Sequence, residues 1–424
     1  MTQVATLEAA EAIRGRLERA LLHEEVNLAS ENGRGRTEEL IEETLRSYEA
    51  EALSGQAPAL DSRERAGIAA ELRNELIGLG AIAERMLADP VAQEWMINGP
   101  RRLFRDTGER IERVADLVFD DDRQVRAFVE RLLEQVEGKR LDRITPRVEA
   151  RLPDGSRLTA AIPPVSSNGN TICTIRRFRL AAGTLEELVG LGFLSEQAAA
   201  FLAACVRAGK NIVVSGRVSS GKTTLLNALG RAVPGTERVV VCESSAELQL
   251  PAILPNCVGY EARPTNADGL PAVTLEHLVS DALRMNPDRI LVGECRGPET
   301  MAMLWSFATG HAGMTSVHGE SAEHALRNLV RFALTSGARI EAEQALDWVR
   351  DVDLVVHCAR PRSFTGSERR FLPRRIDEVV EVAGVEGRRL TLNPLFEGAG
   401  PDLRWLGSGP AYIDELEQAG FHVA

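Results

Sequence analysis

The clearest chemistry in this sequence comes from an eight-residue motif near the middle of the chain. Residues 216–223 have the sequence GRVSSGKT, which fits the pattern G-x-x-x-x-G-K-[ST]. Glycines in such a loop let backbone N–H groups turn inward around phosphates, and the following helix presents the positive end of its dipole. Lys222 is expected at the β- and γ-phosphates and the Thr223 hydroxyl at Mg²⁺. The predicted phosphate and metal site comprises Gly216, Ser219, Ser220, Gly221, Lys222, Thr223 and Thr224.

Two acidic residues follow apolar segments at positions suited to the same chemistry. Glu243 comes directly after the run 239–242 (VVVC), and Glu294 comes directly after the run 290–293 (ILVG). A carboxylate at the end of a buried strand can bind Mg²⁺, partly through water, or orient an attacking water molecule. We therefore expect both Glu243 and Glu294 to take part in nucleotide hydrolysis.

The segments around these residues predict an α/β domain. Residues 211–215, 238–242 and 289–293 are short, continuously apolar runs separated by helical segments. Strands without alternation are typical of a parallel sheet covered by helices on both faces. The motif lies between the first of these runs and an apolar helix at 225–229. We expect residues 185–360 to form this domain, with its site at the strand ends.

The residues before this domain predict a smaller one and an arm. Residues 1–60 are polar and rich in Ala, Glu and Arg, which predicts a helical or partly disordered arm with a linker. Residues 61–180 are expected to form an α+β domain, with a hairpin turn at Asp154-Gly155 and an alternating strand at 171–178. Its first helix is indicated by apolar residues at three- and four-residue steps: Ile68, Leu72, Leu76 and Leu79.

Residues 361–424 form a C-terminal extension to which the sequence assigns no role. The extension is first rich in arginine and then strand-like, with strands expected at 378–382 and 389–392. No internal repeat is evident.

Composition, charge and missing motifs argue against several other classes of protein. The chain has 424 residues, a net charge of −12 and 4% aromatic residues, so no nucleic-acid partner is expected. Only three residues are lysine (Lys139, Lys210 and Lys222), and none lies in the N-K-x-D motif of a GTPase. The S-G-G-Q motif of an ABC ATPase is also missing. Small-molecule kinases stay open, although no acceptor pocket is evident.

The sequence also predicts a cytoplasmic location. The acidic N-terminal segment does not have the pattern of a signal peptide, and no apolar run approaches the roughly 18 residues of a membrane span. The cysteines are isolated from one another, with no C-x-x-C pair, which favours reduced and buried thiols. These cysteines are Cys173, Cys205, Cys242, Cys257, Cys295 and Cys358.

Four boxes in sequence order resemble the secretion ATPases of the type II/type IV superfamily over residues 80–360. Besides the loop at 216–223, residues 283–299 (LRMNPDRILVGECRGPE) resemble the atypical Walker B box of that family. Residues 309–318 (TGHAGMTSVH) resemble its His box and residues 243–248 its Asp box. Within the superfamily, three further segments look most like the CpaF group, which drives assembly of tight-adherence (Flp-type) pili: residues 97–100, 150–164 and 174–178.

The resemblance implies a homo-hexamer whose subunits each carry a RecA-like P-loop NTPase domain after a smaller α+β domain. It further implies ATP and Mg²⁺ as cofactors, an inner-membrane platform protein as partner, and peripheral association with the cytoplasmic face of the inner membrane. Glu294 matches the Walker B carboxylate that readies water, and Glu243 matches the Asp-box acid. His318 and His311 match sensors of the γ-phosphate or of the domain interface. Arg157 and Arg176 match arginines that close over the nucleotide.

Several positions depart from the family pattern. The Asp box usually has Glu-Asp, whereas Ser244 follows Glu243 here, which puts the turnover rate in doubt. Asn286 stands where an Arg is usual, Ala312 where an Asp is usual, and Gly319 where an Ala is usual. The lack of a C-x-x-C pair argues against the branch with a tetracysteine zinc module.

The sequence therefore predicts a hexameric ATPase that powers assembly of a tight-adherence pilus or a related secretion machine. One alternative is a conjugation or effector-secretion ATPase of the same superfamily. Another, suggested by Ser244, is a nucleotide-binding ring scaffold that hydrolyses ATP only weakly.

Overall fold

The computed structural model divides the chain into two compact units, Met1–Phe178 and Arg179–Ala424. Each unit is described by itself. The structure describes residues 3–24, 26, 31–76, 81–177, 183–263, 265, 271–336, 340–365, 368–387 and 389–422.

The first unit begins with a group of helices that share an apolar core. The core contains Ile13, Leu17, Ile41, Leu45 and Ile68, all buried, so the described part of residues 1–60 packs as helices. Leu79, part of the predicted helical period, lies outside the described residues. The helices of this core are α1 (Gln3–His23), α2 (Glu31–Leu53) and α3 (Ser62–Leu76), and α4 (Ala81–Ala88) follows them.

A six-stranded antiparallel sheet follows, and its apolar core includes Met86 of α4 and the buried face of one further helix. The predicted hairpin at Asp154-Gly155 is confirmed: Gly155 has φ 84°, and Ala150 pairs with Leu158 across the turn. The strands lie in the order β3-β2-β1-β6-β5-β4. The elements are β1 (Glu94–Asn98), β2 (Leu103–Asp106), β3 (Ile111–Arg113), α5 (Asp122–Leu133), β4 (Arg147–Arg151), β5 (Arg157–Ala161) and β6 (Ile172–Arg176).

The second unit is built around an eight-stranded sheet in the order β16-β15-β12-β7-β11-β10-β8-β9. Its strands are β7 (Ile212–Gly216), β8 (Val239–Glu243), β9 (Cys257–Glu261), β10 (Arg289–Cys295), β11 (Ala312–His318), β12 (Leu354–Ala359), β15 (Arg375–Glu386) and β16 (Arg389–Pro394). Two short ribbons pair β13 (Arg362–Thr365) with β14 (Glu368–Phe371) and β17 (Phe396–Glu397) with β18 (Arg404–Trp405).

Helices cover both faces of this sheet. They are α6 (Leu185–Gly190), α7 (Glu196–Arg207), α8 (Lys222–Arg231), α9 (Leu275–Ala282), α10 (Glu299–Ala308), α11 (Ala322–Ala333), α12 (Ala342–Val349) and α13 (Ile413–Gln418). Two separate apolar cores result, one on each face, and the predicted parallel α/β sheet is confirmed. Every residue of β7 and β8 is buried, which is why residues 212–214 and 239–242 are continuously apolar.

The residues after 361 contribute to this sheet. The strands expected at 378–382 and 389–392 lie within β15 and β16, and β15 pairs with β12 in antiparallel register. The extension therefore completes one edge of the nucleotide-domain sheet, and α13 packs its buried Leu416 into the same core.

All six cysteines are free. Five are buried, whereas Cys257 is only half-buried, so the prediction of buried thiols is wrong for that residue. Burial raises the pKa of the Cys173 thiol to about 12 and that of Cys257 to about 11. Among the described residues, no helix combines the length and apolarity needed to span a bilayer.

Candidate nucleotide site

The phosphate-binding motif forms the turn between β7 and α8. Gly221 precedes the helix with φ 103°, a left-handed conformation that favours glycine, and as the N-cap residue it provides no side-chain cap to the first turn of α8. A Cβ atom on Gly216 would overlap the Ser220 hydroxyl and the Cys358 carbonyl. Glycine at these two positions therefore allows the tight turn, and the helix start is left available to an anion.

The middle of the loop has a conformation that few side chains adopt. Ser219 has φ 62°, which is uncommon for a residue other than glycine. Ser220 is buried, and among the described residues its hydroxyl has no hydrogen-bond partner. A buried hydroxyl beside a glycine-lined turn fits a site that receives phosphate oxygens. Thr223 and Thr224 lie in the first turn of α8.

Lys222 is buried at the start of α8, with 8% of its side chain exposed. Its ammonium nitrogen lies 3.2 Å from His318 Nδ1, 3.4 Å from the Arg217 carbonyl oxygen and 3.9 Å from Glu294 Oε1. The loop lysine, the β11 histidine and the β10 carboxylate are therefore brought together by the fold, although the sequence separates them widely.

A β-bulge directs Glu294 toward this cluster. β10 pairs with β11 in register up to Val292, and the register shifts between Val292 and Cys295. The Ser316 hydroxyl donates to the Gly293 carbonyl at 2.7 Å and holds the bulge. Because a bulge places consecutive side chains differently from a regular strand, Glu294 points into the cluster although it lies within β10.

The Glu294 carboxylate is ionised at neutral pH. Burial by itself would raise the pKa of Glu294, but the hydrogen bond with His318 and the charge of Lys222 outweigh it, so the pKa lies below the ordinary value. His318 Nε2 lies 3.0 Å from Glu294 Oε1. His318 Nδ1 lies 3.2 Å from Lys222 Nζ and 3.3 Å from the Gly216 carbonyl oxygen, so it accepts from Lys222 in one tautomer and donates to Gly216 in the other.

His318 is itself held at the edge of the loop. It is the last residue of β11 and pairs with Gly216 in the parallel register. Its backbone carbonyl accepts a hydrogen bond of 2.8 Å from the Asn328 side chain of α11. His311 lies beyond the other end of the strand, roughly 23 Å away at about 3.3 Å per residue, where its ring contacts Thr309. The structure therefore does not bring His311 to the cluster.

Glu243 is engaged in a structural role within its own loop. Its buried carboxylate accepts hydrogen bonds from the backbone N–H of Glu247 at 2.9 Å and of Leu248 at 3.1 Å. A Cβ on Gly293 would lie 2.9 Å from Glu243 Cγ, so the glycine of the bulge gives Glu243 its space. The carboxylate holds the turn after β8 in place.

The carboxylate that reaches the loop threonine belongs to Glu247, which the sequence analysis did not single out. The Thr223 hydroxyl donates to Glu247 Oε2 at 3.2 Å. Hydroxyl and carboxylate oxygens are hard donors of the kind Mg²⁺ prefers, so this pair fits the metal of a nucleotide complex. The sequence did contain a signal for Glu247: this residue lies four positions after Glu243, inside the segment that resembles the Asp box.

Replacement of Glu243 by alanine is expected to lower the free energy of unfolding by about 2–4 kcal/mol, because the buried N–H of Leu248 and the half-buried N–H of Glu247 lose their acceptor. Urea titration followed by circular dichroism would measure the change. Glu243→Gln keeps an acceptor oxygen and should lose less than half as much, and Glu247→Ala should change stability little. Equal destabilisation by Glu243→Ala and Glu247→Ala would contradict the structural role.

Arg157 and Arg176 lie opposite each other in the first unit, on β5 and β6. Arg157 is half-buried and Arg176 is exposed. Glu94 of β1 lies opposite Arg176 where β1 and β6 pair. Burial raises the pKa of the Glu94 carboxyl, although the positive charge of Arg176 acts to lower it. The expectation that these two arginines close over the nucleotide stays a prediction.

Two departures from the family pattern have local physical reasons. Asn286 has φ 52°, a left-handed conformation that asparagine adopts more readily than arginine. A Cβ on Gly319 would lie within 3.0 Å of the backbone of Ala325, so glycine lets α11 pack closely after His318. Ser244 is exposed and Ala312 half-buried, and nothing in the structure explains either substitution.

The fold and the site together define the class of protein. A parallel sheet, a glycine-rich turn leading into α8 and a carboxylate at the end of β10 form a RecA-like P-loop NTPase domain, and a smaller α+β unit precedes it. Residues 79–393 match the Type II/IV secretion system protein family. The chain belongs to this family.

Three known proteins illustrate the similarity. A "Putative conjugal transfer protein" of Mycobacterium tuberculosis is 33% identical over 327 residues, covering 75% of this chain and 88% of that protein. Protein VirB11 of Agrobacterium fabrum is 30% identical over 300 residues, covering 64% of this chain and 85% of VirB11. The crystal structure of the VirB11 ATPase from the Brucella suis type IV secretion system, in complex with sulphate, shares 28% identity with a TM-score of 0.37, covering 70% of this chain and 91% of that one.

Proposed function

We propose that this protein hydrolyses ATP to ADP and phosphate and, as a homo-hexamer, powers assembly of a tight-adherence (Flp-like) pilus or a related secretion machine. The observation that carries the proposal is the cluster of Lys222, His318 and Glu294 beside the glycine-rich loop. Family membership supports the same activity. In this proposal the protein acts at the cytoplasmic face of the inner membrane, attached through a platform protein.

The residues of the cluster have distinct tasks in the proposed reaction. The N–H groups of the loop and of the first turn of α8 hold the β- and γ-phosphates, and Lys222 neutralises their charge. Thr223 and Glu247 would hold Mg²⁺, which when bound supplies further positive charge to the phosphates. Glu294 accepts a proton from the attacking water. The water oxygen bonds to the γ-phosphorus while the bond between the γ-phosphorus and the bridging oxygen of the β-phosphate breaks, and that oxygen leaves with ADP. Arg157 and Arg176 are assigned the further phosphate contacts that the sequence predicts.

Through His318, the proposed site can respond to the presence of the γ-phosphate. In this structure the Lys222 ammonium lies against His318 Nδ1 and the Arg217 carbonyl oxygen. A γ-phosphate oxygen is a charged acceptor and therefore competes well for the same ammonium. Movement of Lys222 toward phosphate would end the contact between the Lys222 ammonium and His318 Nδ1, while His318 Nε2 still contacts Glu294. The imidazole would thus link phosphate occupancy to the residue that activates water.

Hexamer formation is expected when purified protein is incubated with Mg²⁺ and a slowly hydrolysed ATP analogue. Negative-stain images should then show six-fold rings, and the mass in solution should approach six times the chain mass of 46.2 kDa. A monomer or dimer at micromolar protein with saturating analogue would contradict the ring. Protein without nucleotide serves as the control for assembly that nucleotide does not promote.

A conjugation or effector-secretion ATPase is the second candidate function. It is favoured by the similarity to a protein named for conjugal transfer and to VirB11. Genes beside the one encoding this chain would separate the two machines. Pilin and prepilin-peptidase genes support the pilus, and relaxase or coupling-protein genes support transfer of DNA.

The scaffold alternative, suggested by Ser244, loses support from the position of Glu247. Ser244 removes one carboxylate from the Asp box, but the Glu247 carboxylate lies against the Thr223 hydroxyl. The site therefore retains an acidic group where Mg²⁺ is expected. A comparison of the steady-state hydrolysis rates of the parent and of Glu294→Gln would decide between motor and scaffold.

A further inference from the structure

The glycine-rich loop is held from outside by the strands at the C-terminal edge of the sheet. β12 contacts the residues that enter the loop, and the segment leading into β15 contacts its middle and its end. This inference deepens the proposed function, because it assigns a task in nucleotide binding to residues that lie after the four family boxes.

The entrance of the loop is fixed by β12. The Ser215 hydroxyl lies 2.5 Å from His357 Nδ1, and both side chains are buried. The next residue, Gly216, packs so closely on the Cys358 carbonyl that no side chain would fit there. Because β12 holds both Ser215 and Gly216, the two residues at which the chain enters the loop, this part of the backbone has little freedom to move.

The middle of the loop is held by Arg374. Its Nε–H donates to the Ser219 carbonyl oxygen at 2.9 Å. Ser219 is the loop residue with φ 62°, a conformation that costs free energy in a residue with a side chain. The contact with Arg374 fixes the direction of the peptide group after Ser219 and so stabilises this conformation.

The stem of Arg374 also reaches the end of the loop. A Cβ on Gly221 would lie 3.5 Å from Arg374 Cδ and 2.9 Å from the ring of Phe193. The Phe193 carbonyl in turn accepts a hydrogen bond of 2.8 Å from the Ile376 backbone N–H at the start of β15. Arg374 and Phe193 therefore form one wall against the turn that leads into α8.

We propose that Arg374 is a positioning residue for nucleotide binding, acting through Ser219. By holding Ser219 in the left-handed conformation, it keeps the backbone N–H groups of the loop directed toward the phosphates before the nucleotide arrives. A loop that is organised in advance loses less conformational entropy on binding. Arg374 therefore affects the affinity for nucleotide, whereas the rate of hydrolysis in the bound state depends on Glu294 and Lys222.

The test compares the binding of a fluorescent ATP analogue (mant-ATP) with Mg²⁺ by the parent and by Arg374→Gln. We expect the Kd to rise about tenfold, the effect of losing one well-placed hydrogen bond. The kcat at saturating ATP should stay within about twofold, so that the loss appears in KM. Arg374→Lys keeps the charge but not the fixed Nε–H, and should recover part of the affinity.

Arg350→Gln is the matched control. Arg350 is exposed on the far end of α12, where it pairs with Asp347, and its substitution should leave both Kd and kcat unchanged. Melting temperatures of all variants are measured alongside. A Kd for Arg374→Gln equal to that of the parent overturns the inference, and so does a loss in kcat without a change in Kd. A parent that does not bind mant-ATP at all would overturn the proposed function itself.

Discussion

Substitution of Lys222 by alanine is expected to reduce ATP hydrolysis to background. Lys222 is a buried ammonium at the end of the glycine-rich loop, and it lies close to both His318 and Glu294. Without it, the charge that develops on the transferred phosphoryl group loses its nearest cation. Arginine is a poor replacement, because a planar guanidinium does not fit the tight turn, and Lys222→Arg should also be inactive. Phosphate release at saturating Mg-ATP measures the effect.

Lys139→Ala is the matched control for this experiment. Lys139 lies in the first unit, after α5, and is half-exposed, so its loss should leave the rate within about twofold of the parent, as is usual for surface substitutions. Lys210 is less suitable because it is buried and pairs with Glu415. If Lys222→Ala hydrolysed ATP as fast as the parent, the assignment of the loop as the catalytic phosphate site would be wrong.

Substitution of Glu294 by glutamine is expected to lower kcat by about 10²–10⁴, while nucleotide binding is retained. Glutamine preserves the size of the side chain and can still accept a hydrogen bond from His318, but it cannot take a proton from water. Single-turnover hydrolysis and mant-ATP binding, measured on the same preparation, separate the two effects. A simultaneous loss of binding would indicate that Glu294 holds the loop rather than activates water.

Glu323→Gln provides a control with the same change of charge. Glu323 is exposed on α11 and pairs with Arg327 one turn away, so no loss of rate is expected. The comparison with the parent also tests the scaffold alternative. Equal, background-level rates in the parent and in Glu294→Gln would favour a ring that binds nucleotide without functioning as a motor.

The pH dependence of the parent follows from the lowered pKa of Glu294. The folded-state pKa of Glu294 lies below the ordinary value. As the pH falls, the carboxylate therefore stays ionised until the pH reaches this lowered pKa, and it is protonated only at lower pH. Its contribution to stability is therefore present above the unfolded pKa and is lost as pH falls through the folded pKa. We expect no acid limb due to Glu294 between pH 5 and 8 in a kcat profile. An acid limb in that interval that disappears in Glu294→Gln would contradict this assignment.

Local patterns were sufficient to predict the parts of the molecule that depend on neighbouring residues. The apolar runs that became β7, β8 and β10 were identified because a strand buried on both faces has no polar positions. The hairpin at Asp154-Gly155 was identified because its turn needs a residue that tolerates positive φ. Both signals come from a few consecutive residues.

Contacts between distant segments could not be predicted in this way. The bulge that directs Glu294 depends on how β10 pairs with β11, and the engagement of Glu243 depends on a turn that places Glu247 near Thr223. His311 and His318 belong to one sequence box, yet β11 places them at opposite ends of a strand. Proximity in the chain therefore gave a poor guide to proximity in space.

By itself, the sequence determined the class of site. With three lysines in 424 residues, the lysine within a glycine-rich motif stood out, and the same scarcity removed the GTPase reading. Only the tertiary structure decided which side chains reach Lys222 and what holds the loop. His318, Glu294 and Arg374 come from three different strands or their ends. They reach the glycine-rich loop because parallel strands bring their carboxyl ends to one edge, where the antiparallel strand β15 begins. The register between strands that are distant in the sequence depends on how their buried faces pack together, which neither segment encodes alone.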